Sequence, residues 1–232
     1  MANVIYRVWG RMLASNLSAV ICGSLGLVFA ACTPPPVSLS EGPREYVAQD
    51  YLRVLHNWTR STQLLSVEQF DNVLTVTGTY ESWDFRWAYA IRYADDYRLT
   101  VDQRRALLER SLADSRLEHQ FYIALAAQKH KWGALDTASP AWVIRLIDDT
   151  GGETVPKEIT EIKRPGPIEQ TYFPYTNPWR RAYRISFPSI RADGTPSVSP
   201  KATRMGLRFA GAQGNDELLW EIARDGRAAG GS

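Results

Sequence analysis

The sequence predicts an α+β domain that is mainly β: an immunoglobulin-like antiparallel β-sandwich with an N-terminal helix and a two-helix insertion. Three observations predict it. The apolar period falls to two in Val73–Tyr80 and stays short after Pro140. Clusters of Gly, Pro and Asp separate short β-branched and aromatic runs, about seven in all, as in sandwiches. The chain is 44% hydrophobic and 11% aromatic, enough for a real core, which excludes a disordered polypeptide.

The elements follow in order. From Arg44 to about Trp58, the apolar residues Val47, Tyr51, Val54, Leu55 and Trp58 fall on one helical stripe. Val73–Tyr80 alternates and is rich in Thr and Val, a strand, with Thr62–Leu65 as a short partner. Ser82 can cap a helix from Trp83 to about Arg98. Its arc of Trp, Tyr, Ala and Ile is broad enough to pack on two neighbours. Thr100 and Gln103 form a capping box that starts a second helix, ending near Arg116. The two helices make a hairpin at about 82–116, between the first and second strands.

Phe121–Ala127 reads as a buried strand. Trp142–Ile147 is a strand, Asp148–Gly152 a turn, and Thr154–Ile162 a second strand, at an edge because it carries Pro156. Pro165-Gly166-Pro167 opens a long loop. Trp179–Phe187, Met205–Phe209 and Leu218–Ile222 complete the fold, and the clean alternation of Met205, Leu207 and Phe209 is the best strand signal in the chain. About 180 residues between 44 and 225 suit one domain; the Gly/Ala-rich stretch 226–232 reads as a frayed tail.

The first thirty-two residues carry a different signal. Arg7 and Arg11 precede an apolar run from Met12 to Ala31 that ends in small residues. This is the layout of an export signal over 1–31 rather than a retained span. Phe29-Ala30-Ala31-Cys32 resembles the lipobox of bacterial lipoproteins, with Phe29 where that family usually has Leu. The resemblance implies that Cys32 becomes the lipidated N-terminus. Thr33, not Asp, follows it, which by the same resemblance implies the outer membrane, facing the periplasm or the surface. Thr33–Pro43 would then be a proline-rich tether of about 30 Å at about 3.1 Å per residue.

Composition excludes several classes. Cys22 and Cys32 are the two cysteines, so loss of the leader and lipidation leave no thiol for a disulfide, metal or nucleophile. Of 27 basic residues two lie in the leader, leaving 25 against 25 acidic ones. A neutral chain lacks the basic field of a nucleic-acid binder.

No motif specifies a reaction. His56, His119 and His130 lack a recognisable nucleophile or metal partner in sequence, and no catalytic residue is assigned. Asp148–Glu153 has some character of a calcium turn without the spacing of an EF-hand, and reads first as a hairpin turn. No metal or cofactor is expected. The loop Gln170–Arg181 concentrates Tyr172, Phe173, Tyr175, Trp179 and Arg180, residue types that dominate binding hot spots. Its aromatics either meet a ligand or fold over the end of the core. The expectation is a non-enzymatic, lipid-anchored envelope protein that scaffolds or binds a protein or cell-wall partner. The alternative is an envelope hydrolase acting on wall or glycan.

Overall fold

The β content builds two stacked antiparallel sheets. A computed structural model describes residues 34–66 and 71–223. The export signal, Cys32 and the 226–232 tail lie outside the described residues. Among the described residues no helix is long and apolar enough to cross a membrane.

The first sheet holds five strands: β1 (Thr59–Ser66), β2 (Asp71–Tyr80), β3 (Glu118–Ala127), β6 (Glu158–Ile162) and β7 (Arg181–Pro188), in the order β1-β2-β3-β7-β6. The second holds β4 (Val143–Asp148), β5 (Glu153–Thr154), β8 (Arg204–Gly211) and β9 (Gly214–Glu221), in the order β5-β4-β8-β9. The described residues thus form nine strands rather than about seven. One extra strand comes from β1, which is eight residues long and pairs with β2 along its length. The helical excursion therefore falls between β2 and β3. The other comes from Pro156. It breaks the expected strand 154–162 into β5, on the second sheet, and β6, at the edge of the first. Proline has no N–H for a ladder, so the chain changes sheets there.

Facing residues of the two sheets make the main core. In register, Leu146, Leu207 and Leu218 form one row across the second sheet, and Met205 pairs with Trp220. Tyr80, Phe121, Ile123, Ile185 and Phe187 face them from the first. Gly78 lies where the sheets approach closely: a Cβ there would sit 2.8 Å from Leu218 Cδ1 and 2.9 Å from Ile123 Cγ2. Its missing side chain lets the sheets meet. The expected alternation of β8 is observed, with Met205, Leu207 and Phe209 buried.

β3 is buried on both faces, which explains its continuous apolar run. Phe121 and Ile123 turn to the second sheet; Tyr122 turns to a layer of helices. That layer contains α1 (Tyr51–Trp58), α2 (Trp83–Asp96), α3 (Val101–Leu117) and α4 (Pro167–Tyr172). Ser82 caps α2 by accepting from Phe85 N–H at 3.1 Å. Thr100 and Gln103 form the capping box of α3. As its wide arc predicts, α2 packs against both α1 and α3.

Two expectations shift. The first helix begins not at Arg44 but with a 3-10 turn, Ala48–Asp50, leading into α1. The Asp50 carboxylate accepts from Val47 N–H at 3.0 Å and fixes the turn there, leaving Val47 exposed. The expected loop after Pro165 contains α4, with Pro167 at its first position, where an N–H is not needed.

The predicted tether also departs from a free spacer. Pro34–Pro36 are exposed, but Val37 is buried and bridges Ile222 in parallel. Val37 N–H donates to Glu221 C=O, and Ala223 N–H donates to Val37 C=O, both at 2.8 Å. Farther on, Gly42 C=O accepts from Trp83 Nε1 at 2.8 Å. An apolar valine between proline and serine finds more stabilisation at the edge of β9 than in water.

Candidate functional site

The segment 172–181 is a strap across the outer face of the first sheet. That face presents hydroxyls because Thr59 and Ser61 of β1 lie opposite Thr79 and Thr77 of β2. Tyr175 OH pairs with Thr79 Oγ1 at 2.8 Å, and Thr79 with Thr59 at 2.7 Å. Thr176 pairs with Tyr122 OH at 2.9 Å, and Arg180 Nη1 donates to Thr77 Oγ1 at 2.9 Å. Phe173 stacks flat on Tyr122, centroids 3.9 Å apart.

The predicted binding residues therefore divide. Tyr172 and Phe173 are buried, and Tyr175 is half-buried beneath the strap. Tyr172 donates from its hydroxyl to Asp96 Oδ2 at 2.8 Å, and its carbonyl accepts from Tyr51 OH at 2.6 Å. Burial, then the Asp96 carboxylate, raises the Tyr172 phenol. These three rings hold the helical layer on the sheet. Trp179 is different: it is 89% exposed. Asn177 fixes it there, its Oδ1 accepting from Trp179 N–H at 3.0 Å, with Pro178 between.

Trp179 and half-buried Arg180 stand on the rim of a groove of about 510 Å³. The end of β6, the turn Lys163–Pro165 and the strap form its walls. Arg181 Nε pairs with Glu161 Oε1 at 2.7 Å. Lys163 and Arg164 are exposed, with no carboxylate in ion-pair range among the described residues. The groove is thus basic, with one exposed indole. Lys163 and Arg164 escape a reading centred on aromatics; the available signal is their position directly before the turn Pro165-Gly166-Pro167.

The three histidines do not converge. His130 shares the basic groove. His119 lines a separate cavity of about 720 Å³, with Ser40 and Ser199. Its Nδ1 is 2.8 Å from Tyr80 OH, and burial pushes the imidazole down to about 4. At neutral pH His119 is uncharged. His56 lies on α1.

Asp148 and Asp149 act as turn acceptors. Asp148 Oδ1 accepts from Thr150 N–H, Thr150 Oγ1 and Gly152 N–H at 2.7–2.9 Å, and Oδ2 from Ser199 N–H at 2.8 Å. Asp149 accepts from Thr203 N–H at 3.0 Å. Among the described residues no group of three or more His, Cys, Asp or Glu is placed to hold a metal. Burial works against the Asp148 charge, but the Ser199, Thr150 and Gly152 donors together hold its carboxyl below the usual range. A carboxyl depressed in the folded state contributes stability above its unfolded pKa and loses it as pH falls through the folded value. Asp148→Ala is expected to cost about 2 kcal/mol at pH 7 by stranding these donors. The difference from wild type should shrink below about pH 4, as checked by urea unfolding across pH.

Compared with protein-family models, curated proteins and solved structures, the chain matches none of them.

Proposed function

We propose that the protein is a non-enzymatic, lipid-anchored module of the cell envelope that binds an anionic partner, in the cell wall or on a protein, through the Trp179 groove. The observation that carries this reading is the 89% exposure of Trp179 beside Lys163 and Arg164. Leaving a large ring in water forgoes up to about 3 kcal/mol that a covering partner would recover. The adjacent cations would steer an acidic partner and make binding salt-sensitive. Anchoring rests on the lipobox-like Phe29–Cys32, and the immunoglobulin-like relation on the two stacked antiparallel sheets with loops at their ends. The opening meander β1-β2-β3 differs from the usual strand order of that fold.

Sedimentation with purified wall sacculi and pull-down from envelope extracts test the binding. Trp179→Ala is expected to weaken capture at least about tenfold without changing unfolding. Raising salt from about 0.05 to 0.5 M should weaken it further. Undiminished capture by Trp179→Ala would remove the groove from consideration. Cys32→Ser should shift the protein from the membrane fraction to the soluble one; persistent membrane association would refute the lipid anchor.

The cavity lined by His119, Ser40 and Ser199 is what favours the alternative, an envelope hydrolase acting on wall or glycan. An imidazole held near 4 is a weak general base at neutral pH, so binding is the better-supported reading.

A further inference from the structure

A second site lies under the helical layer, where β2 ends and α2 begins. Glu81, the residue directly after β2, is 9% exposed. Arg86, one turn into α2, is 5% exposed. The Arg86 guanidinium is committed to the frame: Nε donates to Glu81 C=O at 2.8 Å, Nη1 to Ser111 C=O at 3.0 Å, and Nη2 to Gln120 Oε1 at 2.8 Å. Its Nη2 also lies 3.8 Å from Glu81 Oε2. Glu81 Oε1 is different. It is buried yet accepts no hydrogen bond, although Arg184 Nε stands 3.4 Å away. Arg184 comes from β7, is exposed, and has no other ion pair or hydrogen bond among the described residues. Between these groups is a cavity of about 160 Å³, walled on its apolar side by Phe85, Tyr89 and Phe173.

The cavity offers a buried carboxylate oxygen that accepts no hydrogen bond and, ion-paired to it, a guanidinium whose two Nη groups make no hydrogen bond among the described residues, against aromatic walls. A plain anion would satisfy Arg184 but meet the Glu81 carboxylate. A plain cation would satisfy Glu81 but meet two guanidiniums. A ligand carrying an ammonium and a carboxylate about 3 Å apart, across two covalent bonds, meets both demands. The volume is about five waters' share of liquid, room for a small side chain. We propose that this cavity binds the α-ammonium and α-carboxylate of a small amino acid, the ammonium donating to Glu81 and the carboxylate receiving the Arg184 fork. This site is separate from the Trp179 groove and does not depend on it.

The test is calorimetric titration of the detergent-extracted full chain. The probes are free glycine, alanine and serine of both hands, N-acetylalanine and alaninamide. Free alanine is expected to bind saturably, and each blocked analogue at least about tenfold more weakly, since each loses one charge-assisted contact. Arg184→Gln removes one of the two ion-pair partners of Glu81, so its folding is checked by urea unfolding, and the folded variant should lose binding by a similar factor. Glu81→Gln keeps the side-chain volume and should selectively reduce the penalty for masking the amine. Absence of saturable binding by every free amino acid up to about 10 mM, a level weaker than ordinary ligand affinities, would overturn the proposal. So would equal binding of the blocked analogues, or unchanged affinity in a folded Arg184→Gln protein.

Discussion

Trp220→Ala is expected to lower stability by about 4 kcal/mol, in the range of the costliest core truncations. Trp220 is fully buried and joins three parts of the fold. Its ring meets Phe121 and Tyr80 of the first sheet at 5.6 and 6.5 Å. Its Nε1 donates to the carbonyl of Trp58, the last residue of α1, at 3.0 Å. Alanine would leave a large cavity between sheets that the strand backbones cannot close, together with an unpaired carbonyl. Trp220→Phe separates the two effects: it keeps most of the apolar volume and should cost about 2 kcal/mol. Urea unfolding should show a lowered midpoint with little change in slope. An unfolding free energy within about 0.5 kcal/mol of wild type would mean that the sheets do not meet at this residue.

Arg86→Leu is expected to cost about 3–5 kcal/mol, because it removes one partner of a buried pair rather than both. The leucine abandons the carbonyls of Glu81 and Ser111 and the Gln120 amide oxygen, and leaves the Glu81 carboxylate with Arg184 alone. The double variant Glu81→Leu with Arg86→Leu should be less destabilised than the sum of the two single variants, by at least about 1 kcal/mol. Strict additivity in that cycle would contradict the coupling. The Ser111 contact also ties α2 to α3, so the single variant should raise amide exchange in α3 before the strands of the core.

What sequence makes legible here is local. The alternation of Met205, Leu207 and Phe209 sets their faces without reference to the rest of the chain, and it holds. The caps Ser82 and Thr100 depend on residues three positions away, and they hold as well. Contacts across the fold are less visible. α4 is six residues long, too short for a helical period, and only Gly166-Pro167 with Glu169 marks it; Glu169 Oε2 accepts from Gly166 N–H at 2.8 Å. In composition, Tyr172, Phe173, Tyr175 and Trp179 are equivalent. The hydroxyl-bearing sheet face beneath the strap separates the three packed rings from the exposed one, and strand pairing supplies that face. Glu81 and Arg184 are brought together by the β2-β3 and β3-β7 ladders, so nothing in either local sequence announces the cavity between them.

The docking of Val37 on the edge of β9 sets how a lipid-anchored form would stand. With the lipid on Cys32, the span to the fixed point at Val37 is five residues, at most about 17 Å of extended chain, rather than the full proline-rich stretch. Such a domain does not roam the envelope on a long leash. If so anchored, it would pivot about the rim formed by Val37, Glu221 and Ala223, close above the headgroups. Its radius of capture is then little more than its own dimensions. A partner would then have to come to the membrane surface to be met, and lengthening the chain between Cys32 and Val37 would directly control how far from that surface the protein could act.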